Sequence, residues 1–406
     1  MNILFITIAK IKDINERGIY TDLIRKFDEE GHNIFVVSPS ERKYNETTSL
    51  KITGNVQLLS IWTFNFQKTN LFEKSISTLT FDTKFKNGIK RYLNNIDFQI
   101  CIYTTPPITY LSTLKYIKKR YNPILYLLLK DIFPQNAVDL NMINKKGIIY
   151  KYFRKKEEEL YKISDYIGCL SKANVEFILN NNNYIKTEKI EINPNTIELN
   201  KVLPKDNETI YKIKNKYKIP KNSLLFFYGG NLGKPQGLNF LIKILESNIH
   251  KSEIFFLIIG DGTEYKKLLN FYMKFTNPNF LILKTLPKIE FDKLITIADI
   301  GLIFLDPRFT IPNLPSRLLS YLENSMPIIA ATDSNTDLKS IIEVSNCGFW
   351  NLNGDLKSFN NSIDKYLNDK KLINEQGRNA RNLIEKNFEI SKTYSLIINK
   401  VPNGKK

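Results

Sequence analysis

The sequence is poor in the residues that hold metals and disulfides. It has two histidines, His32 and His250, and three widely separated cysteines, Cys101, Cys169 and Cys347. Because no C-x-x-C pair is present, we expect neither a disulfide framework nor a structural zinc site, and a reducing compartment fits better. Two histidines cannot form a His-rich metal cluster, so any metal would need carboxylate ligands. We therefore predict no metal site.

Long apolar runs are also absent. No stretch reaches the roughly 20 apolar residues that a membrane-spanning helix requires. The apolar run at the N-terminus has no basic segment before it and is interrupted by Lys10 and Lys12. We interpret residues 3–8 as a buried strand and not as a signal peptide. A cytoplasmic location is expected.

Acidic residues are in the minority. The chain has 59 Lys and Arg against 41 Asp and Glu, which gives a formal net charge of +18. Nucleic acid, an anionic membrane surface or a phosphorylated small molecule could each use this charge. No zinc-finger, ribonucleoprotein or helix-turn-helix pattern accompanies it, which disfavours nucleic acid. The other two partners are compatible with each other.

Short apolar runs alternate with amphipathic segments, as in βαβ units around parallel sheets. The 406 residues are enough for two domains of roughly 150–200 residues each. Predicted strands cover residues 3–8, 34–37, 57–61, 100–103, 124–129 and 166–170, then 224–228, 254–259, 280–284, 300–304 and 327–331. Predicted helices cover residues 20–30, 109–120, 147–163 and 173–180, then 238–246, 263–271, 288–298 and 316–324. Two such series predict an α/β protein with two doubly wound domains.

The predicted domain limits follow the composition. We expect one domain over residues 1–200, a second over 201–375 and a C-terminal segment over 376–406. The junction falls within residues 193–221, which are rich in Asn, Lys, Pro and Glu. Helical periodicity over residues 377–399 has no strand after it, so this segment should pack across one domain or return to the first.

A glycine-rich turn follows the first strand of the second half. Gly229, Gly230, Gly233 and Gly237 lie between an apolar strand and an amphipathic helix. Glycine allows a ligand to approach the backbone closely, and a helix start offers free N–H groups and a positive dipole end. Ligands of open α/β sheets bind at such strand ends. The turn predicts a diphosphate site, the alternative being a plain strand-to-helix connection.

A second loop enters a helix at Ser316 and Arg317. Three prolines stiffen this loop, and Ser316 is placed either to cap the helix or to contact a ligand. Arg317 offers a fixed charge and a planar fork for phosphate. Because an arginine in the first helical turn opposes the helix dipole, a ligand role is favoured for it.

Three positions stand out in the first half. Gly18 lies between a strand and a helix, where a close ligand or a tight turn would need it. Thr105 and Pro106 come directly after a strand. Thr105 supplies a hydroxyl group and Pro106 a rigid backbone, and the pair has either a binding or a structural role. Asp131 ends a buried strand, where its carboxylate either acts on an acceptor hydroxyl or serves as a cap or ion-pair partner.

Taken together, these segments resemble glycosyltransferase family four, whose GT-B fold has two Rossmann-like domains facing each other across a cleft. The resemblance covers nearly the whole chain and is sharpest in GNLGKPQGL at 230–238 and IIGDG at 258–262. Residues 298–302, 315–321 and 327–330 add to it. In the first half, TPP at 105–107 and DIFP at 131–134 are similar to the S-P-P and D-L-W-P segments of one branch. That branch includes bacterial transferases of N-acetylfucosamine and related amino sugars in O-antigen and capsule assembly.

The chain departs from the wider family at two places. Asn231 and Gln236 replace the usual phosphate-binding Arg and Lys after the glycine turn. The E-x7-E pair, whose second Glu holds the ribose, falls at Pro312 and Ser320. Both departures are typical of the branch, which commonly has Lys where this chain has Arg317. The resemblance therefore assigns phosphate neutralisation to Arg317.

The resemblance implies retaining, metal-independent transfer of an N-acetylated amino sugar from a UDP-sugar to a polyprenyl-diphosphate-linked glycan, without a cofactor. The first domain would bind the acceptor and the second the nucleotide sugar. Asp131 and Arg317 would be catalytic, and Thr105 and Pro106 would bind the acceptor. The implied donor-binding residues are Gly18, Gly229, Gly230, Asn231, Gly233, Gln236, Gly260, Ser316 and Ser320.

Basic and aromatic residues alternate over 116–121 and 145–156. Such segments favour peripheral association with an anionic membrane, here the inner face of the plasma membrane. The alternative is a solvated helix face whose aromatic residues lie in the core.

Two rival functions share this architecture. A nucleotide-sugar 2-epimerase would be expected to carry more acidic and histidine residues in its cleft. A non-catalytic protein that binds polyanions or sugar nucleotides would not need two half-sites.

Overall fold

The computed structural model describes residues 1–67, 69, 71–201 and 206–402. Two compact units divide the chain: Met1–Glu198 with Glu389–Lys406, and Leu199–Phe388. Residues 202–205 of the predicted junction and 403–406 of the predicted C-terminal segment lie outside the described residues. Among the described helices, none combines the length and apolar composition needed to cross a membrane.

The first unit is built on an eight-stranded sheet. Its strands are β1 (Asn2–Ile6), β2 (Asn33–Glu41), β3 (Ser49–Thr53), β4 (Val56–Thr63), β5 (Ile100–Thr104), β6 (Ile124–Leu129), β7 (Tyr166–Cys169) and β8 (Ile190–Ile192). The spatial order is β3-β4-β2-β1-β5-β6-β7-β8, and only β3 runs antiparallel to its neighbour. The helices before residue 199 are α1 (Ile19–Glu29), α2 (Leu71–Tyr92), α3 (Leu111–Tyr121), α4 (Gln135–Asp139), α5 (Ile148–Ile163) and α6 (Lys172–Asn181).

The second unit is built on a six-stranded parallel sheet. Its strands are β9 (Leu224–Asn231), β10 (Ile254–Asp261), β11 (Phe280–Leu283), β12 (Ile300–Phe304), β13 (Ile328–Thr332) and β14 (Gly348–Leu352), in the order β11-β10-β9-β12-β13-β14. Its helices are α7 (Asn207–Lys216), α8 (Asn239–Ser247), α9 (Tyr265–Tyr272), α10 (Lys288–Thr296), α11 (Arg317–Glu323), α12 (Leu338–Val344), α13 (Leu356–Asn368) and α14 (Lys371–Asn387). The two sheets confirm the predicted fold class of two Rossmann-like units.

Burial on both faces explains why the central strands are so apolar. The strand β6 reads ILYLLL, and every residue after the first is buried, as expected for a parallel sheet covered by helices on both sides. The helix α1 buries Leu23, Ile24 and Phe27. It ends before Gly31, whose φ of +78° suits the left-handed residue that follows many helices.

The predicted helical segment 377–399 forms two helices. The chain leaves α14 at Phe388, and Glu389 is extended, with its carboxylate accepting a hydrogen bond from the Ser391 amide at 2.9 Å. This cap starts the last helix, α15 (Ile390–Ile398), which lies in the first unit. There the ring of Tyr394 packs edge-on against Phe27, with 5.2 Å between ring centroids.

The strand order of each sheet reverses once. In the first sheet the reversal lies between β1 and β5, and in the second it lies between β9 and β12. Open α/β sheets bind ligands outside the carboxyl ends of their strands at such reversals. The loops after these four strands are therefore the places to look for function.

Candidate functional site

The glycine-rich turn lies at the strand reversal of the second unit. Gly230 has a φ of +126°, a conformation that L side chains rarely adopt. At Gly229 the limit is packing, because a Cβ atom there would lie 2.6 Å from Cζ of Phe291. The two glycines are thus required for different reasons, and together they keep the end of β9 free of side chains.

The side chains of Asn231 and Gln236 stabilise the turn itself. The Oε1 atom of Gln236 accepts hydrogen bonds from the Gly233 amide at 3.1 Å and from Nδ2 of Asn231 at 3.2 Å. The Leu232 amide donates to the Asp261 carbonyl at 3.0 Å. The amides of Leu232 and Gly233 therefore already have protein partners, so Arg317 has to supply more of the charge that neutralises a bound diphosphate.

Gly260 supports the turn from the neighbouring strand. A Cβ atom at Gly260 would lie 1.8 Å from the carbonyl oxygen of Gly230, and one at Gly262 would lie 2.4 Å from the Leu232 backbone. Both glycines allow β10 and the loop after it to pass against the turn. The structure thus gives Gly260 a packing role, and its predicted contact with the donor stays a prediction.

Arg317 places a positive charge beside the turn. Its guanidinium carbon lies 4.2 Å from the ring centroid of Tyr228, and a Cβ atom at Gly230 would lie 3.4 Å from its Nη2. Nη1 is buried and has no hydrogen-bond partner, and in the described part of the chain no carboxylate pairs with Arg317. A buried donor group without a partner is costly, so this location is suited to an anion.

Two serines lie near Arg317 in sequence. Ser316 directly precedes α11 and has helical φ and ψ, but its side chain makes no capping hydrogen bond. The predicted side-chain cap is therefore not formed, and the exposed hydroxyl of Ser316 is left for other contacts. Ser320 is half-buried one turn later and shares a helix face with Ser316.

The loop after β12 is joined to the glycine-rich turn. The Asp306 amide donates to the Pro235 carbonyl at 2.9 Å, and the Asp306 carboxylate accepts two hydrogen bonds of 2.8 Å from Arg308. Nδ2 of Asn353 donates to the Leu305 carbonyl at 2.7 Å. The ends of β9 and β12 thus form one ordered region.

The strand reversal of the first unit brings threonine hydroxyls together. Oγ1 of Thr104 donates to Oγ1 of Thr7 at 3.2 Å. Oγ1 of Thr105 accepts from the Lys130 amide at 3.2 Å and lies 3.5 Å from the Asp131 carbonyl. Pro106 follows, exposed, with cis peptide bonds on both sides. The predicted residues Thr105, Pro106 and Asp131 are therefore neighbours.

Asp131 and Lys130 are both unusual titratable groups. Burial raises the pKa of Asp131 to about 6, although hydrogen bonds from the Ile132 backbone and from Asn136 favour the carboxylate. Nδ2 of Asn136 donates to Oδ2 of Asp131 at 2.7 Å. Burial also lowers the pKa of Lys130 to about 7. Such shifts cluster at functional sites, and Lys130, which was not predicted, is the one charged residue that directly follows the apolar run of β6.

Gly18 takes part in the start of α1. Its amide donates to Oδ1 of Asp22 at 3.0 Å, and its carbonyl accepts from Oγ1 of Thr21 at 3.0 Å. Its φ of 173° is ordinary extended backbone. These contacts belong to the helix start, and the predicted donor-binding role of Gly18 stays a prediction.

Some residues of the predicted basic and aromatic segments form ion pairs or pack against other rings, and others are exposed to solvent. Lys118 pairs with Asp165 at 2.6 Å, Arg154 pairs with Glu157 at 2.5 Å, and Phe153 packs against Phe133. We define the apolar-basic patch as the exposed residues Met142, Lys145, Lys146, Ile148, Ile149, Lys151, Tyr152 and Lys155. Ile148 is 85% exposed and Ile149 is 60% exposed, so apolar side chains at this surface point to solvent between lysines.

The described residues contain no group of three or more His, Cys, Asp or Glu side chains arranged to hold a metal ion. The three cysteines are free and buried.

The chain is similar to known proteins in sequence and in fold. Residues 209–383 match the family model "Glycosyl transferases group 1". The uncharacterized glycosyltransferase MJ1069 of Methanocaldococcus jannaschii is 23% identical over 392 residues, which cover 93% of this chain and 92% of the relative. Sucrose-phosphate synthase from Thermosynechococcus elongatus has a TM-score of 0.75 at 11% identity, covering 98% of both chains.

A further solved structure carries ligands. HepE of Anabaena, in complex with UDP and glucose, has a TM-score of 0.69 at 12% identity and covers 98% of this chain and 99% of its own. At these identities the likeness to solved structures establishes the fold alone. The chain has the GT-B fold, and its residues 209–383 are similar to the family Glycosyl transferases group 1.

Proposed function

We propose that the protein is a glycosyltransferase that moves a sugar from a UDP-sugar to a lipid-linked oligosaccharide in the assembly of a bacterial surface polysaccharide. The observation that carries the proposal is the buried Nη1 of Arg317, which has no hydrogen-bond partner and belongs to a guanidinium beside Gly230, at the strand reversal of the second unit. The resemblance to the amino-sugar branch favours an N-acetylated amino sugar as the transferred group. The UDP bound by HepE favours uracil as the base of the donor nucleotide.

In the proposed reaction Arg317 stabilises the charge that develops on the departing diphosphate. A fixed cation in a partly dehydrated site supplies this stabilisation without a metal ion. The proposed donor-binding residues are Gly18, Gly229, Gly230, Asn231, Gly233, Gln236, Gly260, Ser316 and Ser320. Asn231, Gln236 and Gly260 would act by holding the turn in shape, because their contacts are with its own backbone and side chains.

The acceptor hydroxyl is proposed to lie at Asp131. In a retaining front-face path the leaving phosphate takes the acceptor proton, so the Asp131 carboxylate orients the hydroxyl through a hydrogen bond. Thr105 and Pro106 would line the same place, since Thr105 contacts both Lys130 and Asp131. The reaction requires no cofactor.

A lipid-linked acceptor lies in a membrane, so the enzyme would have to bind the membrane surface. The apolar-basic patch has the composition for this binding. A lysine near an anionic lipid surface contributes about 1 kcal/mol, and exposed aliphatic side chains between such lysines insert into the interface. We therefore propose peripheral association with the inner face of the plasma membrane through this patch.

A thermal-unfolding screen against UDP, GDP, dTDP and uridine tests the donor site. Ligand at 100 times its dissociation constant stabilises the native state by about 2.7 kcal/mol, so UDP should raise the melting temperature by several degrees. In Arg317→Ala the UDP shift should fall to about the size of the uridine shift, which should itself stay unchanged. Arg378→Ala, at an exposed position of α14, removes the same charge and should respond like the wild type. Equal UDP shifts in Arg317→Ala and wild type would contradict the proposal.

A further inference from the structure

The guanidinium of Arg317 is held by an aromatic ring and not by a carboxylate. Its central carbon lies 4.2 Å from the ring centroid of Tyr228, and its Nη1 is buried without a hydrogen-bond partner. A cation over an aromatic face is attracted by the ring quadrupole. This contact orients the guanidinium but leaves its positive charge unneutralised.

The ring of Tyr228 is itself fixed in place. The side chain is fully buried, it packs against Phe304 with 5.8 Å between ring centroids, and its hydroxyl donates to the Asn231 carbonyl at 2.8 Å. Burial raises the pKa of Tyr228, and the charge of Arg317 opposes that rise. Tyr228 therefore stays neutral and presents one rigid face to the guanidinium.

Tyr321 supports the same region from α11. Its buried hydroxyl accepts from the Gly229 amide at 3.2 Å and donates to the Leu302 carbonyl at 3.1 Å. The end of β9, the end of β12 and the helix that carries Arg317 are thereby joined. Tyr228 on β9 and Tyr321 on α11 thus both fix the position of Arg317 relative to Gly230.

We propose that Tyr228 is a positioning residue that holds Arg317 beside Gly230, ready for the donor diphosphate. This inference rests on the proposed function. A carboxylate in the place of the ring would also orient the guanidinium, but it would compete with the phosphates for the charge. An aromatic ring avoids this competition, which matters here because the Leu232 and Gly233 amides already have protein partners.

Affinities for UDP and uridine, measured by calorimetry on the full chain, test this role. Tyr228→Leu removes the ring, and we expect about a tenfold loss of UDP affinity, within the range that a cation–π contact supplies, with uridine affinity unchanged. Tyr228→Phe keeps the ring and removes only the hydroxyl, so it should bind UDP nearly as tightly as the wild type. Because the two residues act together, adding Tyr228→Leu to Arg317→Ala should cause no further loss.

Four results would overturn the inference. Tyr228→Leu could weaken UDP and uridine equally, or add its full loss to that of Arg317→Ala, and either would make Tyr228 a support of the fold only. Unchanged UDP affinity in Tyr228→Leu, with a loss in Arg317→Ala, would refute the positioning role and leave the donor site intact. Unchanged affinity in Arg317→Ala would refute the donor site as well. Tyr228→Met, whose unbranched and flexible side chain adapts better to the vacated space, replaces Tyr228→Leu if that variant unfolds.

Discussion

At the scale of single residues, the charge of Asp131 depends strongly on its surroundings. Burial raises its pKa to about 6, so the carboxylate that the proposed mechanism uses is fully formed only above that pH. We predict that kcat/KM of the wild type rises with pH through about 6, and that Asp131→Asn lowers kcat and removes this rise. Rate measurements between pH 4.5 and 8 check both. An unchanged acid limb in the variant would show that another group titrates.

The same substitution has a predicted effect on stability. A carboxyl group whose pKa is raised on folding destabilises the native state when it ionises, and the penalty develops as pH rises from about 4 to about 6. Asp131→Asn mimics the protonated form and can keep the hydrogen bond from Asn136. It should therefore unfold at a higher temperature than the wild type at pH 8 and at a similar one at pH 4. Greater stability of the wild type at pH 8 would contradict the assigned pKa.

Some site residues could be predicted from the sequence and others could not. Arg317 stands out because an arginine is unusual in the first turn of a helix. The glycines stand out because several of them follow one strand closely. The bonds between Gln236, Asn231 and Gly233 could not be predicted, since the same side chains would equally suit a phosphate. Tyr228 belongs to an apolar run that has the composition of any buried strand, so its contact with Arg317 emerges only from the packing of α11.

At the scale of elements, the central strands were predictable because both of their faces are buried and their sequences are nearly all apolar. The edge strand β3 was missed because most of its residues are exposed, and β8 has only three residues. The helical periodicity predicted over residues 377–399 gave no sign of the break between α14 and α15, because the apolar spacing continues through Phe388. Only the cap at Glu389 interrupts it.

The exposed isoleucines at the start of α5 are predicted to insert into an anionic membrane. Replacing Ile148 and Ile149 by serine should weaken binding to anionic vesicles at least tenfold, because each isoleucine loses roughly 1.5–3 kcal/mol of apolar burial. Val344→Ser is the matched control, since Val344 is 86% exposed in the other unit. Vesicle co-sedimentation at low and high salt measures the effect. Absence of binding at either salt concentration, or equal binding by the double variant, would rule out insertion of this patch.

At the scale of the whole molecule, the fold class was predictable because one alternating pattern occurs twice along the chain. Each sheet also reverses its strand order once, and the predicted residues Thr105, Gly229 and Gly230 lie at or next to those reversals. What the sequence does not contain is the identity of the sugar and the acceptor, because pocket shape decides both and no motif encodes it. The net charge of +18 is equally suited to a phosphorylated donor, a phosphorylated acceptor and an anionic membrane.

The most direct test of the central claim is a transfer assay. The protein is incubated with UDP-linked N-acetylhexosamines and a polyprenyl-diphosphate-linked glycan in the presence of EDTA, and the products are analysed by mass spectrometry and NMR. We predict a lipid extended by one sugar with retained anomeric configuration, one UDP released per transfer, and loss of at least a hundredfold in Arg317→Ala. Epimerised nucleotide sugar without an extended lipid, or donor binding without any turnover, would contradict the account.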